Sequence, residues 1–230
     1  MVKFALIVLA FILSSSAFSA RVVLDGIFAG VGAMEKEVIS IQERKFLNVV
    51  RQKTDFSCGA ASLATLLRYG YHIDTNEDKV INGMFQVSDA QTARKLGFSM
   101  LDIKSYVENT LGMRVQGYNL PSEKLSELPI PTIVLLDIRG YRHFVVLKRV
   151  DNQGNVYIAD PALGNLTIPI EQFEQGWQGV VLAIVGRGYD QNSPLTTPSA
   201  PVTVRSLDDQ FAPVTAFNLL DFGFTAAELF

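Results

Sequence analysis

The segment Cys58–Gly70, CGAASLATLLRYG, constrains this chain more than any other stretch. Ala60, Ala61, Leu63, Ala64, Leu66 and Leu67 make an apolar surface too broad for a helix at the protein surface, so the segment predicts a central, buried helix. Asp55 or Ser57 can cap its start, and Gly70 can end it. At its first position stands Cys58, the single cysteine among 230 residues. A lone cysteine excludes an intramolecular disulfide and the zinc frameworks built from several thiolates. It has two readings: a small buried hydrophobe, or a thiol whose anion is favoured by the unpaired N–H groups and dipole of a helix N-terminus.

The N-terminus bears on that choice. Residues 1–20, MVKFALIVLAFILSSSAFSA, predict a secretory signal peptide: Lys3 supplies the positive start, and 4–13 form an apolar run. That run falls short of the roughly 20 residues that span a bilayer. Small residues allow cleavage after Ala17 or Ser19; an uncleaved membrane anchor is the rival reading. No later stretch has the length and apolarity of a membrane span. Oxidising compartments usually pair or lose thiols, so an exported protein with one unpaired cysteine points to a thiol kept for its reactivity. With 20 Lys+Arg against 23 Asp+Glu the net charge is -3, which argues against a nucleic-acid partner and its need for a clustered basic surface.

Around the central helix the patterns fall in two groups. Residues 21–34 carry no clear period, 35–43 read as helical, and 45–52 (KFLNVVRQ) as a short strand. Helices are predicted at 89–96, with Gly97 as the stop, and at Met100–Leu111, ended by Gly112, with a short one at 121–128. Strands follow at Thr132–Ile138, 143–150, Asn155–Asp160, 165–170 and 179–185. Helices first and an antiparallel sheet second is an α+β architecture. After Gly188 the Pro, Ser and Thr content of 191–204 reads as a linker, partly disordered, leading to a C-terminal arm. The organisation expected is a signal peptide at 1–20, an extension at 21–44, the compact domain at 45–188 and the arm at 189–230.

The chemistry candidates are Gln52, Cys58, His143 and Asp160. His143, one of two histidines, opens a strand and by itself reads as an ordinary surface residue. The turn DNQG changes its weight: a two- or four-residue loop places Val150 opposite Asn155 and therefore Asp160 opposite Val145. Asp160 then shares a face with His143 as its diagonal neighbour, about 7–8 Å away at Cα, within reach of a carboxylate–imidazole bond. A three- or five-residue loop would put the two on opposite faces. Asp160 can equally serve only as a turn initiator in DPALG. Gln52 can donate its amide to an oxyanion from the preceding strand. His72, past the helix end, reads as a surface residue, and no spacing supports a metal site.

Taken in order, RQKTDFSCGAASLATLLRYG, GFSMLDIKSYVENTLGMRVQGY, PTIVLLDIRGYRHFVVLKRV, NVYIADPALGN and FEQGWQGVVLAI resemble the bacteriocin-processing, double-glycine-leader endopeptidases, a papain-like family, over residues 45–187. The resemblance implies a papain-like α+β fold, with the Cys-bearing helix central among N-terminal helices and packed on a C-terminal antiparallel sheet. It implies Cys58 as nucleophile, His143 as base, Asp160 as the residue orienting it and Gln52 in the oxyanion hole, with no metal or organic cofactor. Many members of the family are domains of ATP-driven exporters facing the cytosol, whereas this chain reads as exported without a transporter. The cytosolic leader substrate therefore does not carry over, and the resemblance leaves the Gly-Gly preference open. A stand-alone exported member resembles the peptidase-like component of a functional-amyloid export system, which implies a periplasmic protein or peptide substrate such as an amyloid subunit or export component. Two rivals remain: a non-catalytic binding or chaperone module that keeps the groove, and a membrane-tethered structural protein.

Overall fold

A computed structural model describes residues 20–24, 34–38, 40–138, 141–186 and 188–196. The expected signal peptide and the arm beyond Thr196 lie outside these, apart from Ala20. The chain divides into two units, 1–44 and 45–230. In the first, Ala20–Leu24 (β1) and Met34–Val38 (β2) pair antiparallel. This corrects the helix expected over 35–43. The helical turn Ile41–Lys45 (α1) begins only after Ser40, which caps it: Glu43 N donates to Ser40 Oγ while Ser40 N donates to Glu43 Oε2.

The strand expected at 45–52 is also absent. Phe46–Asn48 form a turn with Asn48 at φ 58, and residues 49–52 beyond it join no ladder. Single bonds hold it instead: Val50 N donates to Thr65 Oγ1 (2.9 Å) and Gln52 N to Pro161 O (2.9 Å).

Cys58–Gly70 (α2) is the central helix its composition demands, with every residue but Arg68 and Tyr69 buried. Glu77–Phe85 (α3), Ala90–Leu96 (α4) and Met100–Leu111 (α5) follow. Asp89 caps α4, Gly97 stops it at φ 79, a Ser99–Asp102 capping box opens α5, and Gly112 closes α5 in the left-handed region. Residues 121–128 hold a 3-10 helix, Ser122–Glu127.

The sheet is antiparallel throughout: Arg114–Asn119 (β3), Thr132–Ile138 (β4), Tyr141–Val150 (β5), Asn155–Asp160 (β6), Gly164–Pro169 (β7) and Trp177–Val185 (β8), in spatial order β3-β8-β4-β5-β6-β7. Ile170–Glu174 (α6) links the last two in sequence. Alternation along the strands divides the interior in two. Ile133, Phe144, Val146, Ala159 and Leu182 pack with α2, α3 and α5, whereas Val134, Val145, Leu147, Ile158 and Val181 pack with Leu125 and Phe173. The result is the α+β, papain-like architecture expected.

The segment read as a linker is instead docked as far as Thr196. Asp190 N donates to Gly70 O, Ser193 Oγ donates to Tyr69 O, and Leu195 is fully buried. Its Pro and Ser content is real, but one leucine and a few side-chain bonds suffice to seat it on the end of α2.

Candidate active site

Helix α2 delivers Cys58 to its own N-terminus, where the first N–H groups of a helix have no intrahelical partner. Two contacts press this end onto β5. Ser62 Oγ donates to Phe144 O (3.0 Å), and Gly59 permits the approach, because a Cβ there would stand 3.2 Å from Phe144 Cδ2. His143, the next residue on β5, is thereby brought to the thiol, and its imidazole is hydrogen-bonded to Cys58.

Asp160 arrives by a route the sequence only half anticipates. The loop closing β5 and β6 places Val150 opposite Val156, not Asn155, and Arg149 opposite Tyr157. Continued unchanged, that register would put Asp160 and His143 on opposite faces. A bulge at Lys148 absorbs one residue, so that Leu147 faces Ile158 and Val146 faces Ala159. The next step carries Asp160 to Val145, the position expected, and His143 Nε2 donates to Asp160 Oδ1 at 2.9 Å. Oδ1 also accepts from Ala162 N (2.7 Å) and Leu163 N (2.9 Å), so Asp160 orients the ring and initiates the turn together.

Gln52 is held beside this pair by its bond to Pro161 O, and its Oε1 is buried without a hydrogen-bond partner. Three of the four candidates are thus joined by side-chain hydrogen bonds, and Gln52 is tied by its backbone to the residue after Asp160. His72 lies apart: it is exposed and bonds Asp190 (2.9 Å).

The electrostatics are set by burial and by the two partners of the ring. Burial works against charge on His143, yet the hydrogen bonds and negative charges of Asp160 and Cys58 outweigh it and raise its pKa to about 9. The imidazole is therefore a cation at neutral pH. The cationic ring is thus hydrogen-bonded to the Cys58 sulfur at the N-terminus of α2.

Several residues here carry no sequence signal that composition or spacing could have raised. Lys148, the bulged residue, is buried, and its pKa is lowered to about 8 by desolvation, with Arg149 adding to the effect. Its Nζ donates to Asn165 Oδ1 (2.8 Å), and Asn165 Nδ2 donates in turn to Lys45 O and Leu47 O. Glu77, at the start of α3, is buried behind the loop that joins Gln52 to Cys58. Among the described residues no cluster of His, Cys, Asp and Glu could hold a metal ion.

Cys58 opens onto a groove of about 630 Å³, walled by Phe98, Met100, Leu135, Phe144 and Val180, with Arg142 among its lining residues. His143 and Asp160 lie behind it, 6% and 5% exposed. The buried His143–Asp160 pair thus backs a thiol that lines the groove.

The Peptidase C39 family model matches residues 47–187. The chain is 48% identical over 201 residues, 87% of its length and 88% of the relative's, to the probable functional amyloid protease FapD of Pseudomonas aeruginosa, and 46% identical, with the same coverage, to that of Pseudomonas fluorescens. A crystal structure of a double glycine motif protease from an AMS/PCAT transporter, in complex with the leader peptide, is similar at TM-score 0.50 and 32% identity over 60% of this chain and 89% of that one. The peptidase domain of Streptococcus ComA gives the same score at 20% identity over 60% and 98%, a likeness of fold. From the thiol-bearing helix to the last strand of the sheet, this chain belongs to the Peptidase C39 family of cysteine peptidases.

Proposed function

We propose that this chain is an exported thiol endopeptidase acting through Cys58, His143, Asp160 and Gln52. The observation that carries the reading is the buried His143–Asp160 pair bonded to a thiol that itself faces an open groove. Cys58 Sγ, as thiolate, attacks the substrate carbonyl carbon, and the oxygen that gains charge is held by the Cys58 N–H and the Gln52 side-chain amide. The His143 cation gives its proton to the departing amine as the C–N bond breaks, leaving a thioester and a neutral ring. That ring then takes a proton from water, whose oxygen attacks the thioester; the C–S bond breaks, the acid product leaves and gives its proton to solvent, and the thiolate and the His143 cation are restored. Asp160 keeps the ring oriented and favours its charged form through both steps.

The apolar walls of the groove suit an extended segment with apolar side chains near the scissile bond. The FapD relatives are named for functional amyloid, and together with the signal-like N-terminus this favours an exported amyloid subunit or export component as substrate, with the periplasm as the site of action. A non-catalytic binding module has no need of all four residues. Alkylation of Cys58 by iodoacetamide near neutral pH separates the two readings. The peptidase reacts faster folded than unfolded; a binding module reacts no faster, or more slowly because Cys58 is buried.

A further inference from the structure

The six-residue step from Gln52 to Cys58 carries both groups assigned to the oxyanion, yet its loop has no ladder or helix to fix it. One buried side chain does so from behind. Glu77 is 1% exposed, and its Oε1 accepts from Lys53 N (2.8 Å), the residue after Gln52, and from Ser57 Oγ (2.6 Å), the residue before Cys58. Ser57 Oγ also stands 2.7 Å from Thr54 O inside the same loop. As N-cap of α2, Ser57 makes no side-chain capping bond, so its hydroxyl is committed to the loop and to Glu77. Asn76 caps the following helix through Lys79 N, which fixes the backbone from which Glu77 projects.

We infer that Glu77 is a positioning residue for the oxyanion site. Resting on the peptidase reading above, the inference is that one carboxyl oxygen, gripping both ends of the loop, sets the distance between the Gln52 amide and the Cys58 N–H. Glu77 touches no reacting atom and acts through Lys53 and Ser57. Its removal therefore leaves the Cys58–His143–Asp160 relay standing while loosening the oxyanion donors.

Two small probes separate these effects. Iodoacetamide alkylates Cys58 by displacing iodide at a saturated carbon, with no oxyanion, so its rate reports the thiol–imidazole pair alone. p-Nitrophenyl acetate transfers its acetyl group to Sγ through a tetrahedral oxyanion and expels p-nitrophenolate, and water then hydrolyses the acetyl-thioester. Glu77→Met is expected to slow acylation about tenfold, short of the 10²–10³ that removing a whole oxyanion donor costs, while alkylation stays within about twofold. Glu77→Gln keeps an acceptor oxygen and is expected to restore most of the acylation rate. Added to Gln52→Ala, Glu77→Met is expected to have a much smaller effect, because the group it positions is already gone.

Should Glu77→Met fail to fold, Ser57→Ala, which removes one of the two contacts, is expected to lower the acylation-to-alkylation ratio several-fold. An unchanged ratio in Glu77→Met, or in Ser57→Ala if that alone folds, overturns the inference; so does an equal loss in both reactions. If the wild-type protein reacts with both probes no faster than it does unfolded, it is the peptidase reading that fails, a separate outcome.

Discussion

Replacing Asp160 with Asn tests the electrostatic core of the site with almost no change of shape. The Asn oxygen can still accept from His143 Nε2 and from the N–H groups of Ala162 and Leu163, so the turn is preserved and only the charge is lost. In the native site His143 has a pKa of about 9 against the ordinary 6.5, because Asp160 and Cys58 overcome the burial that opposes charge. Without the carboxylate the burial remains, and the ring is expected to titrate at or below about 6.5, a shift worth about 3 kcal/mol. At pH 7 the charged fraction of the ring then falls from about 99% to about a quarter or less. The chain has only two histidines, so the Cε1–H resonances suffice, and a His72→Ala variant assigns them. The expected result is a His143 resonance titrating near 9 in the wild type and at or below 6.5 in Asp160→Asn. A resonance that stays near 9 in the variant, or that lies near 6.5 in the wild type, refutes the reasoning.

The same titration bears on stability. His143 binds its proton more tightly when folded, so its contribution is complete below about pH 6.5 and is lost as pH rises through about 9. Lys148, held at about 8 against 10.5, works in the opposite sense above pH 8, so urea titrations should show stability falling from pH 6.5 to 8, flattening between 8 and 9 and recovering from 9 toward 10.5. Lys148→Met removes the flattening, and the fall then continues toward pH 9. Leu195→Ala should cost about 3 kcal/mol by chemical denaturation, because Leu195 is fully buried; a change within about 0.5 kcal/mol would mean the segment is the loose linker its composition describes. Gly164→Ala should lower the unfolding free energy by about 2 kcal/mol or more, since Gly164 sits at φ 87 and a Cβ would meet Lys45 O at 2.5 Å; unchanged stability would count against this packing.

What could be read from the residues and what could not divide on physical lines. Helix α2 was legible because an apolar surface that broad has no other stable place than the centre, and α4 and α5 because Asp89, Gly97, Ser99 and Gly112 mark their ends. Strand β3 was missed: it lies at an edge of the sheet, exposes all but Val115, and carries Gly117 mid-strand, so it lacks the alternation of a half-buried strand. Helix α3 contains Gly83, which weakens its period, although Asn76 followed by Glu77 and Asp78 is an N-terminal signal that could have found it. In the site, the face shared by His143 and Asp160 was anticipated for an incomplete reason. The hairpin loop has the length that would have separated them, and the bulge at Lys148, which no local pattern announces, returns Asp160 to the expected face. Glu77, Lys148 and Asn165 were invisible because their importance lies in what they touch across the fold.

The central claim, that Cys58 is the nucleophile of a peptidase acting on an exported protein, is tested most directly by comparing the termini of exported proteins in cells carrying the wild-type chain and in cells carrying Cys58→Ala. The account predicts that at least one exported protein keeps an uncleaved segment in the Cys58→Ala cells and is trimmed at a single site in the wild type. Identical termini in the two, with both chains present in equal amounts, would contradict it.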